Sequence, residues 1–77
     1  MTTLLRLPKV IERVGLQRTA IYDRIGSGLF PSPIKLGLRA SAWPAHEVDA
    51  CNDAIIQGKT PEEIKALVQQ LHAQRQA

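Results

Sequence analysis

In the stretch GLQRTAIYDRI, Gly15 to Ile25, a glycine is followed by Arg18, Thr19, Tyr22 and Arg24 around only two apolar anchors, Ile21 and Ile25. These polar side chains can donate hydrogen bonds, and at helical spacing Ile21 and Ile25 mark an inward side while Thr19, Tyr22 and Asp23 face away. Arg18 and Arg24 fall on the two flanks. Arginines so placed reach phosphate oxygens or guanine edges, and Thr19 and Tyr22 can bond phosphate or touch a thymine methyl. The chemistry on offer is therefore recognition of a polyanion. His46, Cys51 and His72 have no recognised metal-ligand spacing and read as a buried cysteine and two surface histidines. No Ser/His/Asp set, phosphate-cradling glycine loop or paired carboxylates can be assembled, so neither enzyme activity, a metal nor a cofactor is expected.

Charge agrees with that reading. The 77 residues carry a net charge of +3. Residues 1–43 hold seven cations (Arg6, Lys9, Arg13, Arg18, Arg24, Lys35 and Arg39) against Glu12 and Asp23, a balance of +5. Residues 44–77 hold Lys59, Lys65 and Arg75 against Glu47, Asp49, Asp53, Glu62 and Glu63, a balance of −2. A basic half suits nucleic acid, whose phosphates dominate affinity by counterion release. With 44% hydrophobic and 22% charged residues, the composition is that of a folded domain with one modest core. No apolar run approaches the ~20 residues of a membrane span. The first residues do not read as a signal peptide and Cys51 is the sole cysteine, so a cytoplasmic, nucleoid-associated protein is expected.

Several elements must position the polar helix. A first helix is predicted from about Pro8, with Leu7, Val10, Ile11 and Val14 at helical spacing and Gly15 as its stop. Leu16 turns inward and Gln17 takes the N-cap of a second helix, Arg18 to about Gly26. Glutamine caps poorly, so this helix starts less firmly than usual or keeps Gln17 for an outside contact. LFPSPIKLGLRASAW then reads as strands, since its prolines forbid helix. A three-residue loop, Gly37-Leu38-Arg39, pairs Leu36 with Ala40, Lys35 with Ser41 and Ile34 with Ala42, separating an apolar from a polar face. Arg39 stands at the hairpin tip, facing a phosphate, with Lys35 and Ser41 on the solvent side as weaker candidates. Trp43 reads as a buried anchor. A third helix opens at Pro44, sends Val48, Cys51, Ile55 and Ile56 inward and stops at Gly58. TPEE, Thr60 to Glu63, is a capping box for a last helix with the stripe Ile64, Leu67, Val68 and Leu71. The tail after His72 is expected to fray.

Helix, glycine turn, short helix and β-hairpin describe a mainly α, winged helix-turn-helix fold. The pieces VGLQRTAIY, FPSPIKLG, Arg39, Trp43 and EVDAC, in this order, resemble the AlpA family of phage-type regulators, which are similar to MerR-like and excisionase-like winged helix-turn-helix proteins. The resemblance covers roughly residues 4–56. It implies a bacterial or prophage transcriptional regulator that binds double-stranded DNA, with the second helix in the major groove and the wing on backbone or minor groove. Gln17 stands where a capping serine is usual, Asp23 where a basic residue is common, and Cys51 where tryptophan is usual.

The expected DNA-binding set is thus Gln17, Arg18, Thr19, Tyr22, Arg24, Lys35, Arg39 and Ser41. Residues 1–58 form the DNA-binding domain. Residues 59–77 form a C-terminal helix that packs on it or makes a homodimer. Two other readings stay open at this point: a recombination directionality factor that bends attachment-site DNA, and a protein-interaction module whose acidic half recruits a partner without DNA.

Overall fold

The computed structural model describes residues 3–75. Four helices, α1 (Leu7–Val14), α2 (Arg18–Gly26), α3 (Ala45–Ile56) and α4 (Pro61–Gln74), surround a small antiparallel sheet of β1 (Leu4–Leu5), β2 (Ile34–Lys35) and β3 (Ser41–Pro44) in the order β1-β3-β2. The fold is a winged helix-turn-helix. No helix among the described residues is long and apolar enough to cross a membrane.

The turn between α1 and α2 has a stereochemical cause. Gly15 adopts φ 71°, a left-handed conformation that L side chains disfavour, and its N–H donates to the Ile11 carbonyl. Leu16 packs on the core immediately afterwards, and α2 begins after a connection of only three residues. α1 buries Val10 completely and α2 buries Ile21 completely, while Leu7, Ile11, Val14 and Ile25 lie against the same cluster. α1 is also tied to α3: Arg13 Nη1 bonds both Asp49 oxygens at 2.9 and 3.0 Å, and Asn52 Nδ2 donates to the Arg13 carbonyl at 3.1 Å.

The wing has the register that parity predicts. Ile34 pairs with Ala42 and Lys35 with Ser41, and the Leu36 N–H donates to the Ala40 carbonyl at 2.8 Å, which leaves Gly37, Leu38 and Arg39 in the loop. β1 is the element that sequence patterning does not reveal. Leu4 pairs with Pro44 and Leu5 with Trp43, making β3 the central strand. Trp43 is fully buried, and its Nε1 donates to the Pro31 carbonyl at 2.9 Å, so its polar atom is satisfied inside the core.

α4 closes the structure. Its N-terminus carries the reciprocal capping box, with Thr60 N–H donating to Glu63 Oε1 at 2.9 Å and Glu63 N–H donating to Thr60 Oγ1 at 3.2 Å. Ile64, Val68 and Leu71 are buried in the same cluster as Val10, Ile21 and Trp43. The last-turn expectation requires correction: α4 runs on to Gln74, and Arg75 forms a bidentate pair with Glu47 instead of fraying. Glu47 is 1% exposed, and the pairing supplies the counter-charge that a buried carboxylate requires. Arg75 Nη2 also donates to the Ser32 carbonyl at 2.8 Å, and the Ser32 N–H donates to His72 Nε2 at 3.1 Å. His72 is thus half-buried and bonded, not a surface histidine, while His46 is exposed.

α3 needs the second correction. It begins after Pro44, and its buried residues are Glu47, Val48, Cys51 and Ala54, while Ile55 and Ile56 are exposed. The inward face is rotated toward Glu47, which pairs there with Arg75, and the small Ala54 fills the core position next to Ile55. Cys51 is buried beside Glu47, and desolvation, helped by that carboxylate, raises its thiol from the ordinary 9.0 to about 11. Native protein at pH 8 is therefore expected to react with iodoacetamide far more slowly than protein unfolded in urea. Because the folded pKa is the higher one, this group weakens stability as pH rises from about 9 toward 11. Equal alkylation rates in both states contradict the burial.

Candidate nucleic-acid interface

Between the start of α2 and the wing lies a cleft of about 530 Å³ lined by Arg6, Leu7, Pro8, Arg18, Tyr22, Arg39, Ser41 and Trp43. Three arginines from distant parts of the sequence meet there. α2 delivers Arg18 and Tyr22, which lie one turn apart along one side of that helix, flanked by the fully buried Ile21 that holds the helix on the core. The hairpin delivers Arg39 and Ser41. β1 delivers Arg6, because pairing Leu5 with Trp43 brings the residue after it alongside the central strand.

The cleft floor is aromatic. The Tyr22 and Trp43 rings meet edge to face with centroids 6.3 Å apart and an interplanar angle of 69°. Trp43 meets Phe30 at 6.5 Å beneath it. Arg18 then lies over the exposed side of Tyr22, its guanidinium carbon 5.8 Å from the ring centroid. A cation held over a ring at that range gains a modest attraction and loses fewer rotamers when it binds a ligand. Tyr22 itself stays 41% exposed.

The charges in the cleft are uncommitted. Among the described residues, ion pairs engage Lys9 with Glu12, Arg13 with Asp49, Lys59 with Glu63 and Arg75 with Glu47, and none involves Arg6, Arg18 or Arg39. The α2 N-terminus is open as well: Gln17 makes no side-chain cap and the first turn holds no acidic residue. Free N–H groups and the positive end of the helix dipole are then available to an anion.

The eight residues expected from sequence do not all converge. Arg18, Tyr22, Arg39 and Ser41 line the cleft, and Arg6 joins them without having been expected. Gln17 and Thr19 are exposed at the start of α2 without lining it, and Lys35 is exposed on β2 beside Ser41. Arg24 is elsewhere, half-buried in a groove with Leu29, Ile55, Lys59, Pro61 and Ile64. Two residues on from Tyr22, about 200° round the helix, it faces α3 and α4. Among the described residues no cluster of His, Cys, Asp or Glu could hold a metal ion.

Comparison with known proteins bears on the same segment. The chain is 40% identical over 55 residues to the uncharacterized protein ORF88 of enterobacteria phage P4, an alignment covering 71% of this chain but 62% of that relative. It is 35% identical over 52 residues to the DNA-binding transcriptional activator AlpA of Escherichia coli (strain K12), covering 60% of this chain and 74% of the relative. No solved structure matches. The profile of one family, described as prophage CP4-57 regulatory protein (AlpA), matches residues 3–51, which run from β1 through the cleft and the wing into α3, and the chain belongs to that family.

Proposed function

We propose that the protein is a sequence-specific DNA-binding transcriptional regulator of phage type, acting on the nucleoid in the cytoplasm. α2 enters the major groove and the wing lies on the neighbouring backbone or minor groove. The observation that carries this reading is the convergence of Arg6, Arg18 and Arg39 on one cleft with none of them ion-paired among the described residues. The Escherichia coli relative, a DNA-binding transcriptional activator, supports the same reading.

The roles divide by position. Arg6 and Arg39, at the N-cap of α1 and in the hairpin loop, contact phosphates and set register, with Lys35 and Ser41 adding to the wing contact. Arg18, Thr19 and Tyr22 meet base edges, Arg18 being suited to the guanine O6/N7 pair. Gln17 and the uncapped α2 amides receive a phosphate at the groove edge. Selection from a random duplex pool, followed by binding isotherms across salt concentration, tests the reading. Three neutralised phosphates give a log–log salt slope of about −2.7, and a wing that adds Lys35 makes it steeper. Failure to enrich any duplex, or a slope near zero, sinks the proposal.

A further inference from the structure

A second surface has properties that intramolecular packing does not account for. The groove holding Arg24 measures about 240 Å³ and shares no lining residue with the cleft. Arg24 Nε is shielded from solvent and has no hydrogen-bond partner, and Arg24 has no ion pair among the described residues. A shielded guanidinium nitrogen without an acceptor costs free energy. Ile55, which lines this groove, is 47% exposed, and Ile56, the next residue at the end of α3, is 81% exposed. A single exposed aliphatic residue is ordinary, but two beside an apolar groove with an unsatisfied cation form a patch suited to a partner.

We propose that this face is where a second copy of the chain docks, in a two-fold contact centred on Ile55 and Ile56, with Arg24 of each copy facing Glu62 of the other. Nε itself is covered by the chain, so the occupant brings apolar surface and a negative charge to the part of the half-buried Arg24 that remains exposed, and the patch carries both. Glu62 follows the groove residue Pro61, is exposed, and takes part in no ion pair among the described residues. Its neighbour Glu63 is already engaged by the Thr60 cap. A face with a cation, an anion and an apolar centre is self-complementary, as an isologous contact requires. The apolar stripe of α4 is not the contact surface, since Ile64, Val68 and Leu71 are spent on the core. Only the first turn of α4 takes part. The clefts of both copies stay open, giving one particle two DNA-reading surfaces.

Sedimentation equilibrium without DNA, over about 10 μM to about 1 mM protein, tests the contact at a range suited to an interface smaller than the standard size. The average mass is expected to rise from 8.5 kDa toward twice that value. Ile56→Glu is expected to weaken association at least about tenfold, since it buries a charge at the apolar centre. Arg24→Glu and Glu62→Arg each weaken it, and the double exchange restores it. Ile56 and Glu62 are exposed, so their variants leave the core intact, and thermal melts of each variant report whether it is folded. A monomer throughout the range, or association untouched by Ile56→Glu, overturns the proposal. Failure of the double exchange to restore association overturns the Arg24–Glu62 pairing. None of these outcomes depends on DNA binding.

Discussion

Replacing Arg75 with alanine is expected to destabilise the fold by about 3 kcal/mol, although only two residues follow it in the sequence. Its guanidinium bonds both oxygens of Glu47, and Glu47 is almost wholly buried. Removing the cation leaves a carboxylate in the interior with its counter-charge gone. It also frees the Ser32 carbonyl and with it the loop that carries Phe30 and Pro31 under Trp43. For a domain of this size each kcal/mol shifts the melting midpoint by about 4–8 °C, so thermal denaturation followed by circular dichroism should register a fall of more than about 12 °C. The reverse deletion, Glu47→Gln, is milder, because Arg75 retains some solvent access and the Ser32 carbonyl. Replacing both partners by leucine should recover most of the loss, as expected when the cost comes from the uncompensated charge and not from the missing bond. A midpoint for Arg75→Ala within about 2 °C of wild type means that the pair contributes little.

That pair also marks where the sequence stops being legible. Two helix ends follow from local rules: Gly15 ends α1 because the turn takes a positive φ, and TPEE starts α4 because its cap and its third helical residue satisfy each other's amides. The wing register follows from the parity of its apolar residues, which one loop length alone brings to the same side. Glu47 and Arg75 obey no such rule. They are 28 residues apart, and a polar tail after an apolar stripe gives no sign that its last cation reaches a buried acid. β1 escapes for a different reason: two leucines are too few to display alternation, and their partner strand lies some forty residues away. Arg6 is missed with it, since only that pairing brings it beside Trp43. The isoleucines of α3 mislead because hydrophobicity alone cannot tell which of two adjacent helical stripes faces inward. The small residue Ala54 takes the core position and leaves Ile55 and Ile56 outside.

Substituting Arg18 by alanine is expected to lower affinity for a selected duplex by about 10- to 100-fold, the range of one good contact to a base pair. Trp43 supports Tyr22, Tyr22 supports Arg18, and the buried Ile21 fixes the helix on the core. A guanidinium already held in place gives up less entropy on binding than a free one. Tyr22→Phe keeps the ring and should lose less than Tyr22→Ala, which removes the platform. Arg6→Ala and Arg39→Ala, by contrast, are expected to weaken binding to all sequences alike and to flatten the salt slope by about one unit each. Two further variants give the comparison its force. Lys9 is paired with Glu12 on the exposed side of α1, and Arg24 sits in the other groove, so alanine at either position should leave the affinity of one copy for a half-site nearly unchanged. The interface has been assigned to the wrong face if Arg24→Ala weakens half-site binding more than Arg39→Ala does, or if Arg18→Ala binds as the wild type at moderate salt. With the expected order, the cations that share the cleft account for recognition and the remaining positive charge does not.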